Sequence, residues 1–364
     1  KVIGATLNNL SQKQDVISKS LFFPIKHLKQ SQFECKNFFI TGSTGFFGIW
    51  LLSAFDLLRK KGSSFNVCVL SRNPKQFLKK YPRFANSDWL SFITGDIKSF
   101  KFPEKKFDFI IHGASETSLK AHSNPISMFE NIYLGTRNLM NMGRICAAKR
   151  ILYISSGAVY GHNIEQDNVP FSDSSLIACD PLKIENSYGE GKRVMELLGG
   201  ILNKEANIEN VVARCFTFCG PGFDLNSHYA FNNFLRDALF EESLRINGTG
   251  KDIRSYLYGA DLAVWLLKLL MDGKTGESYN VGSEKPISIE NLAIKIRDLL
   301  SPDKNIVYSS NQKFSIMPEK SYFPKTANAQ SIGCFEWTNI DEAIIFTAEH
   351  LRYIAEDKNK QKLI

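Results

Sequence analysis

Tyr188 and Lys192 stand four residues apart, and on a helix that spacing puts both side chains on one face. A phenol with its ordinary pKa near 10 is a poor base at neutral pH, and an ammonium beside it favours the phenolate. Such a phenol can take a carbinol proton as hydride leaves the carbon, or return it in the reverse direction. Ser156 ends the preceding β-rich run, from where it could hydrogen-bond the same oxygen. A lone Tyr-x-x-x-Lys is also an ordinary surface pairing. A second group is Thr41-Gly-Ser-Thr-Gly-Phe-Phe-Gly48, with Gly42, Gly45 and Gly48 three residues apart. In a strand–turn–helix, one glycine permits the tight turn, one admits phosphates to the backbone and one lets helix pack on strand. Glycines at this spacing can also mark nothing more than a tight turn. Here an apolar run precedes them and an amphipathic one follows, the context a dinucleotide site requires.

The elements that must position these groups follow from periodicity. Short β-rich runs are expected at 37–41, 66–70, 91–94, 108–112, 150–155 and 210–216, and helices at 47–61, 126–148 and 187–206. Near-continuous apolar strands alternating with helices predict an α/β fold, a Rossmann-type doubly wound parallel sheet. Past about residue 217 the rhythm changes. Helices at 229–241, 260–272, 289–300 and 340–355 mix with strands at 244–247, 253–258 and 278–281. The expected division is an N-terminal extension at 1–35, a dinucleotide-binding domain at 36–216, and mainly a smaller C-terminal α/β substrate-binding lobe at 217–364. The extension carries no chemistry of its own.

The bulk properties suit a soluble globular protein: 364 residues, 43% hydrophobic and 23% charged. The longest apolar run, 262–271, is interrupted by Lys268 and is too short for a bilayer, and 1–20 lacks the apolar core of a secretory leader. Seven cysteines with no CxxC pair and no metal-ligand spacing predict reduced thiols, a cytoplasmic setting and no metal. The net charge of +8 would permit nucleic acid, but the cations are scattered, so neither nucleic acid nor a membrane is an expected partner.

The GxxGxxG spacing resembles the extended short-chain dehydrogenase/reductase family of nucleotide-sugar epimerases and dehydratases. The likeness continues, in order, through Gly95-Asp96-Ile97, His112-Gly113-Ala114-Ser115, Asn131, Ser155-Ser156-Gly-Ala-Val-Tyr-Gly161, Tyr188-Gly-Glu-Gly-Lys192, Arg214 to Pro221, and Arg254 to Asp261. It covers about residues 36 to 350. The resemblance implies a catalytic set of Ser156, Tyr188 and Lys192. It implies a cofactor site formed by Gly42, Ser43, Thr44, Gly45, Phe46, Phe47, Gly48, Ser71, Arg72, Asp96, Ile97, His112, Gly113, Ala114 and Asn131, with Tyr188 and Lys192. At the end of the second β-rich run, Ser71-Arg72-Asn73 has no acid for a ribose hydroxyl, and its guanidinium suits a 2′-phosphate, so NADP is favoured over NAD. Asn226-Ser227-His228 is similar to a segment that supplies an acid in GDP-fucose synthase, making His228 a candidate proton donor or a helix cap. Glu116 and Thr117 fall where the family meets the sugar, although Glu116 reads equally as a solvated loop acid. Thr217 replaces a substrate-binding Asn, and Arg254 matches the arginine that clamps the diphosphate.

The departures narrow the reaction. Dehydratases of the family carry Asp-Glu directly after the Ser/Thr, and C3/C5 epimerising relatives carry a Cys at the second of those two positions. Here Gly157 and Ala158 stand in those places, and neither moves a proton. The expected function is hydride transfer at one carbinol or ketone of a nucleoside-diphosphate sugar, with 4-epimerisation first. A 4-keto-deoxysugar reductase is the alternative, 4,6-dehydration ranks third, and a non-catalytic dinucleotide sensor or RNA-binding relative is the rival outside enzymes. A homodimer built on helices 126–148 and 187–206 is implied by the resemblance alone.

Overall fold

The computed structural model describes residues 15–115, 123–161, 169–223, 229–309 and 320–361. Seven strands form one parallel sheet: β1 Lys36–Thr41, β2 Phe65–Ser71, β3 Leu90–Thr94, β4 Phe109–His112, β5 Arg150–Ser156, β6 Glu209–Cys215 and β11 Ser278–Val281. Their spatial order is β3-β2-β1-β4-β5-β6-β11, so the winding reverses between β1 and β4. A crevice at the carboxyl ends of the strands belongs at such a reversal.

Helices cover both faces because the strands are apolar on both. Along β1, Phe38 and Ile40 enter one core while Phe39 enters the other. Helices α4 Pro125–Ile145 and α5 Ser187–Ala206 close the second face, with Ile132, Leu139, Met195 and Leu202 buried there. On the first face lie α2 Phe46–Lys60 and α7 Gly259–Asp272. Helix α7 is buried along nearly its whole length because α1 Val16–Leu21 and the turn after it cover its outer side. Ile17, Leu21, Ile25 and Phe33 are buried, Ser20 Oγ lies 3.0 Å from the Tyr258 hydroxyl, and Lys268 Nζ donates to the His27 carbonyl. The segment 15–35 is therefore a structural part of the core.

Two expectations change. Residues 278–281, assigned to the smaller lobe, are the seventh strand of the main sheet, where Tyr279, Asn280 and Val281 are buried beside β6. Nothing in four residues announces a partner that lies some sixty residues earlier. The run 253–258 is two strands. β9 Ile253–Arg254 pairs with β12 Ile287–Ser288 and β14 Ser321–Tyr322, whereas β10 Leu257–Tyr258 pairs with β7 Phe218–Cys219. A parallel pair of β8 Ser243–Ile246 with β13 Asn305–Tyr308, and helices α6 Ala230–Phe240 and α8 Ile289–Leu300, complete this part of the chain. All seven cysteines are free thiols, and among the described residues no helix is long and apolar enough to cross a membrane.

Candidate active site

The carboxyl ends of β1 to β5 carry the expected cofactor residues in a row. Each glycine of the first turn has its own reason. Gly42 sits at φ +77°, and a Cβ there would lie 2.4 Å from the Gly113 carbonyl oxygen, so two βα turns touch at this point. Gly48 lies against the backbone of Ser43, 1.9 Å from a would-be Cβ, so it closes the turn on itself where helix-to-strand packing was expected. Gly45 is different: a Cβ there would meet nothing nearer than 3.9 Å. Its bareness leaves an exposed cradle at the N-terminus of α2, which has no capping side chain and no acid in its first turn. Beside it, Ser43 Oγ is buried with no hydrogen-bond partner among the described residues. Open backbone donors, the positive end of a helix dipole and an orphaned hydroxyl fit the diphosphate of a dinucleotide. Phe46 and Phe47 frame the turn, Phe46 stacking on Phe223 at 3.8 Å and Phe47 meeting Phe218 edge-on. Thr44 is exposed.

Arg72 is exposed just beyond β2, and Ser71 Oγ and Asn73 shape the turn that starts the next helix, α3 Pro74–Lys80. After β3, Asp96 Oδ1 accepts from the Lys98 N–H, while Ile97 packs on Gly135 and accepts from Asn138. Asn131 is half-buried on α4.

His112 has a structural task that its place in the motif did not reveal. Thr136 donates its hydroxyl to the Ile132 carbonyl, so it accepts from His112 Nε2–H at 3.0 Å. On the other side, Thr41 Oγ1 accepts from the N–H groups of Gly113 and Ala114, so it donates to His112 Nδ1 at 3.0 Å. The neutral imidazole thus ties β4 to β1 and α4, and burial holds its pKa down to about 3. The side chain is used up within the fold, and Gly113 and Ala114 contribute backbone.

The proton-handling groups meet where β5 ends. Ser156 Oγ accepts from the Ala158 N–H at 3.1 Å, fixing its rotamer, and the enclosed Tyr188 hydroxyl is hydrogen-bonded to both Ser156 and Ser115. Lys192 is 2% exposed and donates to the Ile154 carbonyl at 2.7 Å and to Ser115 Oγ at 2.9 Å. The ammonium lies 5.6 Å from the centre of the Tyr188 ring. The Tyr188 pKa lies above its ordinary value, where a lowered one was expected. Burial raises the phenol, outweighing its hydrogen bonds, and the same burial lowers Lys192 to about 8. Ser115 links the two. It was visible only as the last letter of the His112–Ser115 motif, with nothing to say that its hydroxyl stands between phenol and amine.

A second unforeseen group is Tyr322 on β14, whose hydroxyl is hydrogen-bonded to Ser156 and whose ring lies 4.8 Å from that of Phe216. It pairs in register with Arg254 on β9. Arg254 donates to the Ile253 and Lys320 carbonyls and to Asp252, so its fork is tied down on the central strand of this small sheet. Thr217 is half-buried and holds β10 through its carbonyl. Glu116, Thr117 and His228 lie outside the described residues.

A family model described as the NAD dependent epimerase/dehydratase family matches residues 38–282. UDP-glucuronic acid decarboxylase 6 of Arabidopsis thaliana is 29% identical over 294 residues, covering 78% of this chain and 80% of that protein. Four further decarboxylases of the same plant are matched over 41–59% of their own lengths. Among solved structures, UDP-N-acetylglucosamine 4-epimerase of Methanobrevibacter ruminantium M1 gives a TM-score of 0.75 at 21% identity, covering 88% of this chain and 99% of that one. The dTDP-glucose 4,6-dehydratase of Streptomyces venezuelae with NAD bound gives 0.73 at 18%, covering 87% and 97%. At these identities the structural likeness is one of fold.

Proposed function

This chain belongs to the NAD-dependent epimerase/dehydratase family, and from that premise we propose that it oxidises and re-reduces one carbinol of a nucleoside-diphosphate sugar, with 4-epimerisation as the outcome. The observation that carries the reading is the continuous contact from Ser156 through Tyr188 and Ser115 to Lys192.

Gly42, Ser43, Gly45, Arg72 and Asp96 would hold a nicotinamide dinucleotide, which would supply the hydride acceptor and donor. The protein's own share is the proton. Ser156 and Tyr188 hold the sugar hydroxyl between them. Because burial keeps Tyr188 protonated, it stands ready to give a proton to a ketone oxygen. In the oxidising direction, which needs the deprotonated form of Lys192 that a pKa of about 8 makes the minority at neutral pH, it takes the carbinol proton while its own passes to Ser115, whose proton goes on to Lys192. Gly157 and Ala158 supply neither an acid nor a base of their own, which supports chemistry confined to one carbon.

A second reading rests on the decarboxylases among the relatives. Oxidation of a uronic acid beside its carboxyl-bearing carbon creates a β-keto acid, and loss of CO2 from that species asks for no further side-chain base. The 4-ketoreductase reading is supported by Arg72, which suits the 2′-phosphate of NADP better than a ribose hydroxyl. Arg72→Ala is expected to weaken NADP at least ~10-fold while sparing NAD, and equal losses in titrations of the two would remove the argument for NADP.

The deciding experiment denatures the purified protein and identifies any dinucleotide released. The protein is then supplied with UDP-glucose, UDP-N-acetylglucosamine and UDP-glucuronic acid in turn. Near-stoichiometric dinucleotide and conversion to a 4-epimer support the first reading. Release of CO2 from UDP-glucuronic acid replaces it with the second, and an empty protein that consumes NADPH on a 4-keto sugar nucleotide replaces it with the third.

A further inference from the structure

A partly buried ion pair lies one helical turn beyond Lys192 and has no part in the proton path above. Glu196 follows Lys192 by four residues on α5, on the face that carries Tyr188. Its Oε1 accepts from Ser155 Oγ at 2.5 Å and from Arg214 Nε at 3.1 Å, and its Oε2 accepts from Arg214 Nη2 at 2.7 Å. Arg214 Nη1 donates to the Tyr160 hydroxyl at 3.0 Å, and Tyr160 donates to Asn280 Oδ1 at 2.8 Å. One carboxylate therefore joins α5 to β5 through Ser155 and to β6 through Arg214, and the chain of contacts runs on to Asn280 in β11.

The positions matter. Ser155 is the neighbour of Ser156, and Cys215, the neighbour of Arg214, pairs in register with Ser156. Helix α5 delivers Tyr188 and Lys192 to that same strand end, so a rotation or slide of α5 would separate the phenol from Ser156. Apolar packing alone is a poor guard against such a slide on this face, because Gly189, Gly191 and Gly199 let the helix lie close and present no ridge. A bidentate guanidinium–carboxylate contact with a third hydrogen bond fixes direction as well as distance.

We propose that Glu196, clamped by Arg214 and Ser155, is a positioning residue that sets the register of helix α5, and with it the meeting of Tyr188 and Lys192 with Ser156. The groups facing Lys192 are His112 from β4, Cys215 from β6, and Tyr188 and Glu196 from its own helix. His112 is neutral and burial holds the Cys215 thiol protonated, so among the described residues Glu196 is the full negative charge acting on the buried ammonium. This inference deepens the proton path proposed above and rests on it.

The test uses the full chain and three variants: Glu196→Gln, the double variant Glu196→Gln/Arg214→Met, and Ser155→Ala. The double variant removes both charges together, because a single neutralisation leaves a buried guanidinium unpaired and risks the fold. Two readouts are taken on protein shown to be folded by circular dichroism. The first is the titration midpoint of Lys192, followed by NMR of chain labelled with 13Cε-lysine and assigned by the signal lost in Lys192→Met. It should fall by at least ~0.5 pH unit in Glu196→Gln, and by less in the double variant, where loss of the Arg214 cation offsets part of the shift. The second is turnover of whichever sugar nucleotide the parent accepts. In the Glu196 variants kcat should drop ~10-fold or more with KM little changed, and Ser155→Ala should give a smaller loss of the same kind. An unmoved Lys192 midpoint together with kcat within twofold of the parent, in the double variant or in Ser155→Ala, overturns the proposal. A parent that turns over none of the sugar nucleotides refutes the proposed function instead, and the Lys192 midpoint then decides on Glu196 alone.

Discussion

At the scale of single residues, the site separates groups that do chemistry from groups that hold shape, and substitutions distinguish them. Tyr188→Phe keeps the ring, which is half-buried between strand and helix, and removes only the hydroxyl shared with Ser156 and Ser115. It is expected to lower turnover at least ~100-fold while leaving dinucleotide binding within about twofold, measured by steady-state kinetics and by fluorescence titration with the dinucleotide. Retained turnover would take the proton path away from Tyr188. The glycines of the first turn part in the same way. Gly45→Val meets open space in an extended backbone, so thermal stability should hold while dinucleotide affinity drops ~10-fold or more. Gly42→Ala combines a positive φ with a contact on the Gly113 carbonyl, and should cost about 2 kcal/mol or more in denaturant unfolding.

At the scale of elements, His112 is where pH reaches the fold. Its imidazole joins two strands and a helix in the neutral form, with a pKa of about 3 against an ordinary 6.5. Below pH 6.5 the unfolded chain binds a proton there that the folded chain refuses. Folding stability therefore falls as pH drops from 6.5 toward 3, by about 1.4 kcal/mol for each pH unit from this group. Urea unfolding at pH 7 and pH 5 should show the loss, and His112→Asn should start less stable yet lose distinctly less over that interval. Equal losses in parent and variant would mean that other groups carry the acid sensitivity. That 37–41 and 108–112 are strands of a parallel sheet was legible in the alternation of apolar runs and helices, but their adjacency was not. The side-chain cross-link that pins it was not, because Thr41, His112 and Thr136 lie far apart in the chain and meet only once the sheet is wound.

At the scale of the whole molecule, α4 and α5 turn apolar side chains outward beside each other. Ile126 is 75% exposed and Leu197 64%, with Leu134, Ile145 and Ile201 also uncovered. An apolar face of this kind calls for a partner, and the homodimer expected from the family resemblance would bury it. Light scattering should then give twice the 41.2 kDa chain mass, and Leu197→Glu should return it to the single value with the fold intact. A parent that runs as a single chain would exclude the dimer.

The amino-acid sequence by itself determined the alternation of strand and helix, since the inner strands of the main sheet are apolar on both faces and most helices on one. It also determined the phosphate-cradle turn, which depends on glycines at set intervals, and the Tyr188–Lys192 pair, which depends on helical spacing. All of these are local, and local periodicity is what a linear chain displays. The tertiary structure decided what distance in the chain conceals. It placed 278–281 as the last strand of the main sheet, divided 253–258 between two sheets, and brought Tyr322 to Ser156. It also put Ser115 between phenol and amine, and it reversed the expected direction of the Tyr188 pKa. That reversal has a plain cause: spacing tells which charges are near, but the cost of burying a phenolate depends on everything packed around it, and only the folded chain supplies that surrounding.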